Sequence, residues 1–313
     1  MAAKPLVSVI LPTRDRGCLV SRALDSVLAQ THDRLEILVV DDGSRDDTAR
    51  VLRRFGERIT VFSQRSAGPY VARNHALRHA SGEYIAFIDD DDLWCPDRVE
   101  SQLRLMERPE VGLVFGDALH VRAGDRVRWR TTCFLVSPPR RGRVAGDLAW
   151  ANFVPTSTVL VRRSCLEDVT GFPTSHLVSA DYLTWFRIAL RHEFDYVPRV
   201  LAHYTVHEGS SSYDLGVALQ ARIELFAAER ARTADPEVQR LIERVLTNLG
   251  LYLAIATVRG RAPNIEHPWS LMRTAITSAS AREVVRSHVE LLARRSSSAV
   301  RRTAARFVSS PAA

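Results

Sequence analysis

The sequence predicts an α/β protein with a doubly wound, mixed and mainly parallel sheet, followed by a C-terminal helical extension. Short apolar runs alternate with helical segments four times between residues 6 and 94, which is typical of a parallel sheet. The runs are apolar throughout, as expected for strands that are buried on both faces. From about residue 215 the pattern changes to long helical segments rich in arginine, so we place a boundary near Tyr213.

Turn signals and periodicity predict the elements in order. Pro12 closes the first strand, Ser44 or Asp46 caps the helix after the second, and Gly68-Pro69 precedes the third helix. The predicted strands are Leu6–Leu11, Leu35–Val40, Ile59–Phe62, Tyr84–Ile88, Val111–Phe115, Thr156–Val161 and Val200–Val206, with a hairpin over Val121–Val136. The predicted helices are Leu19–Ala29, a segment ending near Phe55, Val71–His79, Pro96–Glu107, Ala180–Arg191, Leu219–Ala231, Val238–Val258, Ser270–Ser278 and Arg282–Arg295.

Composition limits the partners and the cellular location. The chain has 313 residues, a net charge of +7 and only one lysine, Lys4, so its positive charge is carried by arginine. Arginine binds phosphate and carboxylate well, which suits sugar nucleotides, anionic lipid surfaces or nucleic acid alike. The early apolar run is too short for a secretion signal, and no run reaches the ~20 apolar residues of a membrane span. The four cysteines are scattered, so we expect a reducing, cytoplasmic location.

Polar and acidic residues follow three of the predicted strands. Pro12–Asp15 follow the first strand, Asp41-Asp42 the second, and Asp89–Asp92 the fourth. Since the carboxyl ends of parallel strands share one edge of the sheet, these residues are expected to meet in one crevice. Carboxylates there suit a divalent cation that holds phosphate. The alternative for Asp89–Asp92 is a solvated acidic turn, with Asp92 or Asp97 capping the next helix.

Several motifs resemble one family of enzymes. The stronger ones are Val7–Thr13, Leu28–Thr31, Glu36–Ser44, Gly68–Asn74 and Gly82–Trp94, and the weaker ones are Gly171-Phe172, Ser179–Tyr182 and His203–His207. In this order and spacing they are similar to the family 2 glycosyltransferases, which have the GT-A fold. The resemblance implies a GT-A domain over residues 1–213, with a nucleotide-binding half (1–116) and an acceptor half (117–213). The basic helical region 214–313 carries no such motif.

The resemblance implies a role for each donor-side residue. Pro12, Thr13, Arg14 and Asp15 would line the pocket for the nucleotide base. A hydrogen bond from the base would reach Asp42, since a carboxylate accepts from the imide N–H of uracil or thymine; an Asx-type turn before Ser44 is the alternative. Arg73 would lie near the base or the diphosphate. Asp89 and Asp90 would contact the donor, with Asp90 on the ribose.

The resemblance also implies a metal site and a catalytic base. Asp91 would bind Mg²⁺ or Mn²⁺, with His207 near the metal or the diphosphate; the register among Asp89–Asp92 is open by one residue. Asp181 would deprotonate the acceptor hydroxyl, although Ala180 replaces the glutamate that often precedes this aspartate in the family. A charge in the first turn of a helix is the alternative for Asp181.

The function expected from the resemblance is an inverting, metal-dependent glycosyltransferase. It would move a sugar from a nucleotide-sugar donor, a UDP- or dTDP-sugar, to a hydroxyl of a glycan or lipid-linked acceptor in glycan, glycolipid or cell-surface polysaccharide synthesis. Neither a Gln-x-x-Arg-Trp motif nor membrane spans are present, so the addition of one or a few sugars is favoured over long polymers. A nucleotidyltransferase and a sugar-nucleotide-binding protein that has lost catalysis are the alternatives. A dehydrogenase is excluded, since no GxGxxG follows the first strand.

The C-terminal region predicts a surface contact. Its last helices are strongly basic, most of all from Arg282 to Arg306, and each arginine near an anionic membrane contributes ~1 kcal/mol. We expect peripheral contact with the inner membrane face, and a solvated basic helix face is the alternative. Nucleic acid is not an expected partner, because the few aromatic residues there form no stacking platform.

Overall fold

A computed structural model of the protein describes residues 4–122, 138–206 and 215–258. The strands are β1 (Val7–Thr13), β2 (Leu35–Asp41), β3 (Thr60–Ser63), β4 (Tyr84–Phe87), β5 (Leu93–Trp94), β6 (Val111–Arg122), β7 (Leu160–Arg162) and β8 (Glu193–Val206). The helices are α1 (Gly17–Leu28), α2 (Thr48–Arg53), α3 (Pro69–Leu77), α4 (Arg98–Leu103), α5 (Ala145–Leu148), α6 (Arg163–Asp168), α7 (Ala180–Ala189), α8 (Leu215–Arg232) and α9 (Pro236–Val258). Short 3₁₀ turns lie at Gly56–Arg58, Leu105–Glu107 and Thr156–Thr158.

The described strands form one mixed sheet in the order β3-β2-β1-β4-β7-β6-β8-β5. Its first four strands are parallel, and β7 then runs antiparallel to both β4 and β6. Thr13 is paired with Asp41, and Ile10 with Phe87. The residues that follow β4 therefore lie beside the end of β1, so the predicted sheet and the predicted meeting of the three strand ends are confirmed.

Both faces of the sheet are covered by a hydrophobic core. Val9 and Leu11 of β1 belong to one core cluster and Ile10 belongs to the other, because successive side chains of a strand point to opposite faces. All of these side chains are fully buried. This double burial explains why the parallel strands are apolar at every position.

The structure corrects the predicted strand over Thr156–Val161. Its first residues form a 3₁₀ turn, and only Leu160–Arg162 pair as a strand. The Thr158 hydroxyl donates to the Pro155 carbonyl at 2.8 Å, and such a local bond competes with the sheet ladder. Strands β6 and β8 are longer than predicted because they pair with each other in parallel from Val111 to Arg122. The hairpin predicted over Val121–Val136 lies mostly outside the described residues.

The C-terminal helices α8 and α9 pack on the same core as the sheet. The Phe226 ring of α8 lies 4.9 Å from that of Tyr182 and 5.4 Å from that of Phe186, both in α7. Arg187 and Glu229 form an ion pair across the same contact. The boundary near Tyr213 stays a prediction, and the helices predicted over 270–278 and 282–295 lie outside the described residues. Within the described part of the chain, no helix is both long and apolar enough to cross a membrane.

Phe226 tests how strongly the packing of α8 against α7 stabilises the protein. Its side chain is fully buried between two aromatic rings, so Phe226→Ala should lower the free energy of unfolding by about 3–5 kcal/mol. Urea unfolding followed by circular dichroism measures this change. Tyr252→Ala on α9 is the control, since that side chain is 59% exposed and should cost little. Equal stability of the two variants would contradict the packing of α8.

Candidate functional site

A cleft of about 1040 Å³ opens at the carboxyl ends of β1, β2 and the segment after β4. Five parts of the chain supply its walls: the ends of β1, β2 and β4, the segment 66–73, the segment 152–157, the residues 177–181 together with α8, and the paired strands β6 and β8. The side chains that carry polar or charged groups into it are Thr13, Arg14, Arg16, Asp42, Ser66, Tyr70, Arg73, Asp89, Asp90, Asp91, His120, Asn152, Thr156, Ser157, Ser179, Asp181, Tyr204 and Arg222. Its position matches the ligand crevice expected for an open α/β sheet.

Asp90 and Asp91 are bridged by one guanidinium. Arg16 donates to Asp90 at 2.9 Å and also forms an ion pair with Asp91. The hydroxyl of Thr13 donates to the other oxygen of Asp90 at 2.8 Å. Burial raises the pKa of the Asp90 carboxyl to about 6, although the nearby Arg16 opposes the rise. Positive charge is therefore already drawn to this pair of carboxylates.

Arg73 binds the first aspartate of the acidic run. Its guanidinium is buried, forms an ion pair with Asp89, and lies 5.1 Å from the ring centre of Tyr70 and 5.8 Å from that of Phe172. Burial raises the pKa of Asp89, and the Arg73 charge opposes that rise. The rings fix the arginine in place, so Asp89 is held at the wall of the cleft.

Asp42 organises the loop that precedes α3. Its carboxylate accepts hydrogen bonds from the backbone N–H of Ala67 at 2.8 Å and of Gly68 at 2.9 Å, and from the Gln64 amide at 2.8 Å. The Ser66 hydroxyl is more distant, at 3.4 Å. The Asx-type turn before Ser44 is formed by the preceding residue instead, since the Ser44 N–H donates to Asp41 at 2.8 Å.

Of the four residues predicted around the end of β1, three line the cleft and the fourth bonds to a neighbouring loop. Pro12, Thr13 and Arg14 line the cleft, and Arg14 donates to the Ser66 hydroxyl at 2.5 Å. Asp15 does not line it. Its φ of 52° is left-handed, and its carboxylate accepts from the backbone N–H of Arg45 at 2.6 Å, so this residue holds the β1 and β2 loops together.

Asp181 faces the cleft from the first turn of α7. Its Oδ1 accepts from the Tyr70 hydroxyl at 3.2 Å and from the Tyr182 N–H at 2.9 Å, while its Oδ2 accepts from the Thr156 hydroxyl at 2.5 Å. Burial, and then the Asp181 charge, raise the pKa of the Tyr70 hydroxyl, which keeps that group a donor. Ala180, by contrast, is fully buried in the core, where a carboxylate would be desolvated.

The last aspartate of the acidic run and the tryptophan that follows it do not line the cleft. Asp92 is fully buried and accepts from the Thr205 N–H at 2.9 Å. Trp94 is 5% exposed, donates from its indole to the Ser157 carbonyl at 2.9 Å, and lies under the Arg98 guanidinium at 3.7 Å. A tryptophan at this position could anchor the strand end or stack on a sugar, and its burial fits the anchor and not the stacking.

The carboxylate oxygens at the cleft wall are suitable ligands for a hard divalent cation. Asp89, Asp90 and Asp91 bring only carboxylate oxygens to the cleft wall, and Mg²⁺ and Mn²⁺ prefer oxygen ligands. The described residues contain no preformed group of three or more acidic, histidine or cysteine side chains for a metal. His207, the other predicted ligand, lies outside the described residues.

Several cleft residues escaped the sequence reasoning. Five residues that line the cleft were not predicted from the sequence, and each bonds to a predicted site residue or to another residue of the cleft: Arg16, Tyr70, Thr156, Ser179 and Arg222. Tyr70 lies within the motif Gly68–Asn74 and Ser179 within the motif Ser179–Tyr182, and Arg16 directly follows Pro12–Asp15, so these positions were a usable signal. Arg222 lies in the helical region that carries no motif, and nothing local marks it.

Comparison with known proteins identifies the family. Residues 8–170 match the model of glycosyl transferase family 2, which is more than half of the chain, and the chain belongs to that family. A glucosyltransferase of Escherichia coli, WfgD, named for UDP-Glc and α-D-GlcNAc-diphosphoundecaprenol, is 39% identical over 36% of this chain and 45% of its own length. An uncharacterized glycosyltransferase of Rickettsia felis is 29% identical over 66% of this chain. The chain spans about a third, 34%, of that longer relative.

Solved structures confirm the GT-A fold. Residues 1–349 of TarS from S. aureus, in complex with UDP-GlcNAc, superpose with a TM-score of 0.67 at 18% identity, over 90% of this chain and 84% of that one. The mannosyltransferase PcManGT from Pyrobaculum calidifontis, in complex with GDP-Man and Mn²⁺, gives a TM-score of 0.60 at 24% identity, over 98% of this chain and 85% of that one.

Proposed function

We propose that the protein is an inverting, metal-dependent glycosyltransferase that moves a sugar from a UDP- or dTDP-sugar to a hydroxyl acceptor. The observation that carries the proposal is a single cleft whose lining brings together Asp42, the Asp89–Asp91 carboxylates and Asp181. A donor and an acceptor could therefore lie together between charged groups suited to each. The acceptor would belong to glycan, glycolipid or cell-surface polysaccharide synthesis, which is supported by the lipid-linked acceptor in the name of the E. coli relative, α-D-GlcNAc-diphosphoundecaprenol.

The nucleotide would bind at the ends of β1 and β2. This part of the cleft is lined by Pro12, Thr13 and Arg14. Of the four groups that donate to Asp42, the Ser66 hydroxyl is the most distant, at 3.4 Å. The imide N–H of uracil or thymine would donate to Asp42 in place of that long contact. TarS, a structural neighbour, was solved with UDP-GlcNAc, which supports a uridine nucleotide. Asp15 would act indirectly, by keeping the two loops together.

A divalent cation would be held by Asp91, with Asp89 and Asp90 beside it. The Arg16 guanidinium that bridges Asp90 and Asp91 supports this placement, because the same carboxylates already attract positive charge. Mn²⁺ in PcManGT, a structural neighbour, gives further support. When bound, Mg²⁺ or Mn²⁺ would neutralise the charge that develops on the diphosphate as it leaves. His207 would complete this side of the site.

Asp181 would act as the general base on the acceptor side. Tyr70, Thr156 and the Tyr182 N–H all donate to its carboxylate and hold it in a fixed orientation at the cleft wall. The acceptor oxygen attacks the anomeric carbon from the face opposite the diphosphate, its proton passes to Asp181, and the bond from that carbon to the diphosphate breaks. The configuration at the anomeric carbon is thereby inverted. Arg73, paired with Asp89, would hold the donor side rigid.

A thermal-unfolding screen of nucleotides tests the donor assignment. With Mn²⁺ present, UDP and dTDP should raise the unfolding temperature, since ligand at 100 times its Kd adds about 2.7 kcal/mol to stability. CDP is the matched control, because its base has no imide N–H for Asp42, and it should give a smaller rise. If no nucleoside diphosphate stabilises the protein, the proposed function is wrong. Equal effects of CDP and UDP would remove Asp42 from base recognition.

A further inference from the structure

Arg222 differs from the other arginines of the cleft. Arg14, Arg16, Arg73 and Arg222 all line it, and the first three each have a carboxylate within ion-pair distance. Across residues 4–122, 138–206 and 215–258, Arg222 has no such carboxylate partner, and its one hydrogen bond goes to a hydroxyl. It lies in α8, beyond the residues that match the family model.

That hydrogen bond orients the Arg222 guanidinium. Its Nε donates to the Ser179 hydroxyl at 3.1 Å. Ser179 stands just before α7 with a φ of 64°, and its side chain makes no capping bond to the helix. A guanidinium has five N–H donors, so the four on the two terminal nitrogens remain available to a ligand. This arrangement presents the planar fork that suits a phosphate or a carboxylate.

Two acidic residues are candidates to pair with Arg222: Glu224, two positions further along α8, and Asp181, which lines the same cleft. Both are already hydrogen-bonded to other groups. Glu224 hydrogen-bonds to His176 at 2.6 Å and to Gln220 at 2.9 Å. Asp181 is bonded to Tyr70 and Thr156 and to a backbone N–H. Within the described part of the chain, Arg222 therefore lines the cleft without an ion-pair partner.

We infer that Arg222 binds an anionic group of the acceptor, a phosphate or a carboxylate, and so selects acceptors that carry negative charge near the attacked hydroxyl. The inference rests on the proposed function. Ser179, the partner of Arg222, precedes Asp181 by two residues at the start of α7, so the guanidinium and the proposed base share one end of the cleft. The aspartates proposed for the donor and the metal, Asp89–Asp91, form their ion pairs with Arg16 and Arg73 instead.

Calorimetry with methyl phosphate as the probe tests this inference. The full chain is first saturated with UDP and Mg²⁺, so that the diphosphate site is filled, and methyl phosphate is then titrated. Arg222→Met should weaken methyl phosphate binding by about tenfold or more, since a charged hydrogen-bonding group is lost. The affinity for UDP should change by less than about twofold. Arg240→Met is the matched control, because that arginine lies on α9 away from the cleft, is 72% exposed in its side chain, and should not affect either ligand.

Each outcome has a separate meaning. Equal methyl phosphate affinity in the parent and in Arg222→Met overturns the inference and leaves the proposed function standing. A loss of UDP affinity in Arg222→Met also overturns it, because the arginine would then serve the donor diphosphate. If the parent fails to bind UDP, the proposed function falls and the acceptor assignment falls with it. If Arg222→Met has the same unfolding temperature as the parent, weaker binding is not caused by misfolding. Arg222→Lys retains the charge without the planar fork, so its affinity for methyl phosphate should fall between that of the parent and that of Arg222→Met.

Discussion

Replacement of Asp91 by asparagine should lower the rate of sugar transfer by about 10²-fold or more. The change removes the anionic ligand proposed for the divalent cation, whose charge neutralisation is worth several kcal/mol in such reactions. It also removes one of the two carboxylates bridged by Arg16. Transfer from UDP-sugars is measured over a range of Mn²⁺ concentrations, and calorimetry measures UDP binding with and without Mn²⁺. The Mn²⁺-dependent part of UDP binding should be lost in the variant.

Asp92→Asn is the matched control for Asp91→Asn. Asp92 is buried away from the cleft, and burial raises its pKa well above the ordinary value, which favours the neutral form that asparagine imitates. The amide oxygen can still accept from the Thr205 N–H. This variant should retain Mn²⁺-dependent UDP binding. If Asp92→Asn loses the metal response and Asp91→Asn keeps it, the metal ligand is the fourth carboxylate of the run and the assignment made above is wrong.

Asp181→Asn should lower kcat for transfer by about 10²- to 10⁴-fold, the usual contribution of general base catalysis. An amide in place of the carboxylate cannot take the proton of the acceptor hydroxyl. Donor binding should change little, because the hydrogen bonds of Asp181 run to Tyr70, Thr156 and a backbone N–H and not to the residues proposed to hold the nucleotide. Single-turnover transfer and calorimetric UDP binding measure the two effects separately.

Thr156→Val separates the base from its support. Thr156 donates to Asp181 at 2.5 Å, and the loss of this hydrogen bond should disturb the orientation of the carboxylate without removing it. We expect a fall in kcat smaller than that of Asp181→Asn. A transfer rate in Asp181→Asn equal to that of the parent would exclude Asp181 as the base. A larger fall in Thr156→Val than in Asp181→Asn would place the catalytic group at Thr156 instead.

Much of the fold could be read from local sequence patterns. The parallel strands β1, β2 and β4 were predicted within two residues at either end, since uninterrupted apolar runs bounded by Pro12, by Asp41-Asp42 and by Asp89 leave little choice. The strands β6 and β8 were predicted too short. Their added length comes from pairing with each other across some eighty intervening residues. The local pattern of apolar residues contains no information about a partner so far away in the chain. The Thr156–Thr158 turn was mistaken for strand for the same reason, because β-branched residues favour extended structure until a tertiary contact decides otherwise.

Residue order and the period of the apolar positions were enough to predict the family, the parallel half of the sheet and the meeting of Thr13, Asp42 and Asp89–Asp91 at its edge, because both are local quantities. The side-chain bonds within the cleft could be seen only in the folded chain. Arg16 bridging two aspartates, Asp92 turning into the core, and Arg222 reaching the cleft from α8 each depend on strand register and helix packing. Those contacts join residues tens of positions apart, so the geometry of the packed chain is needed to show them.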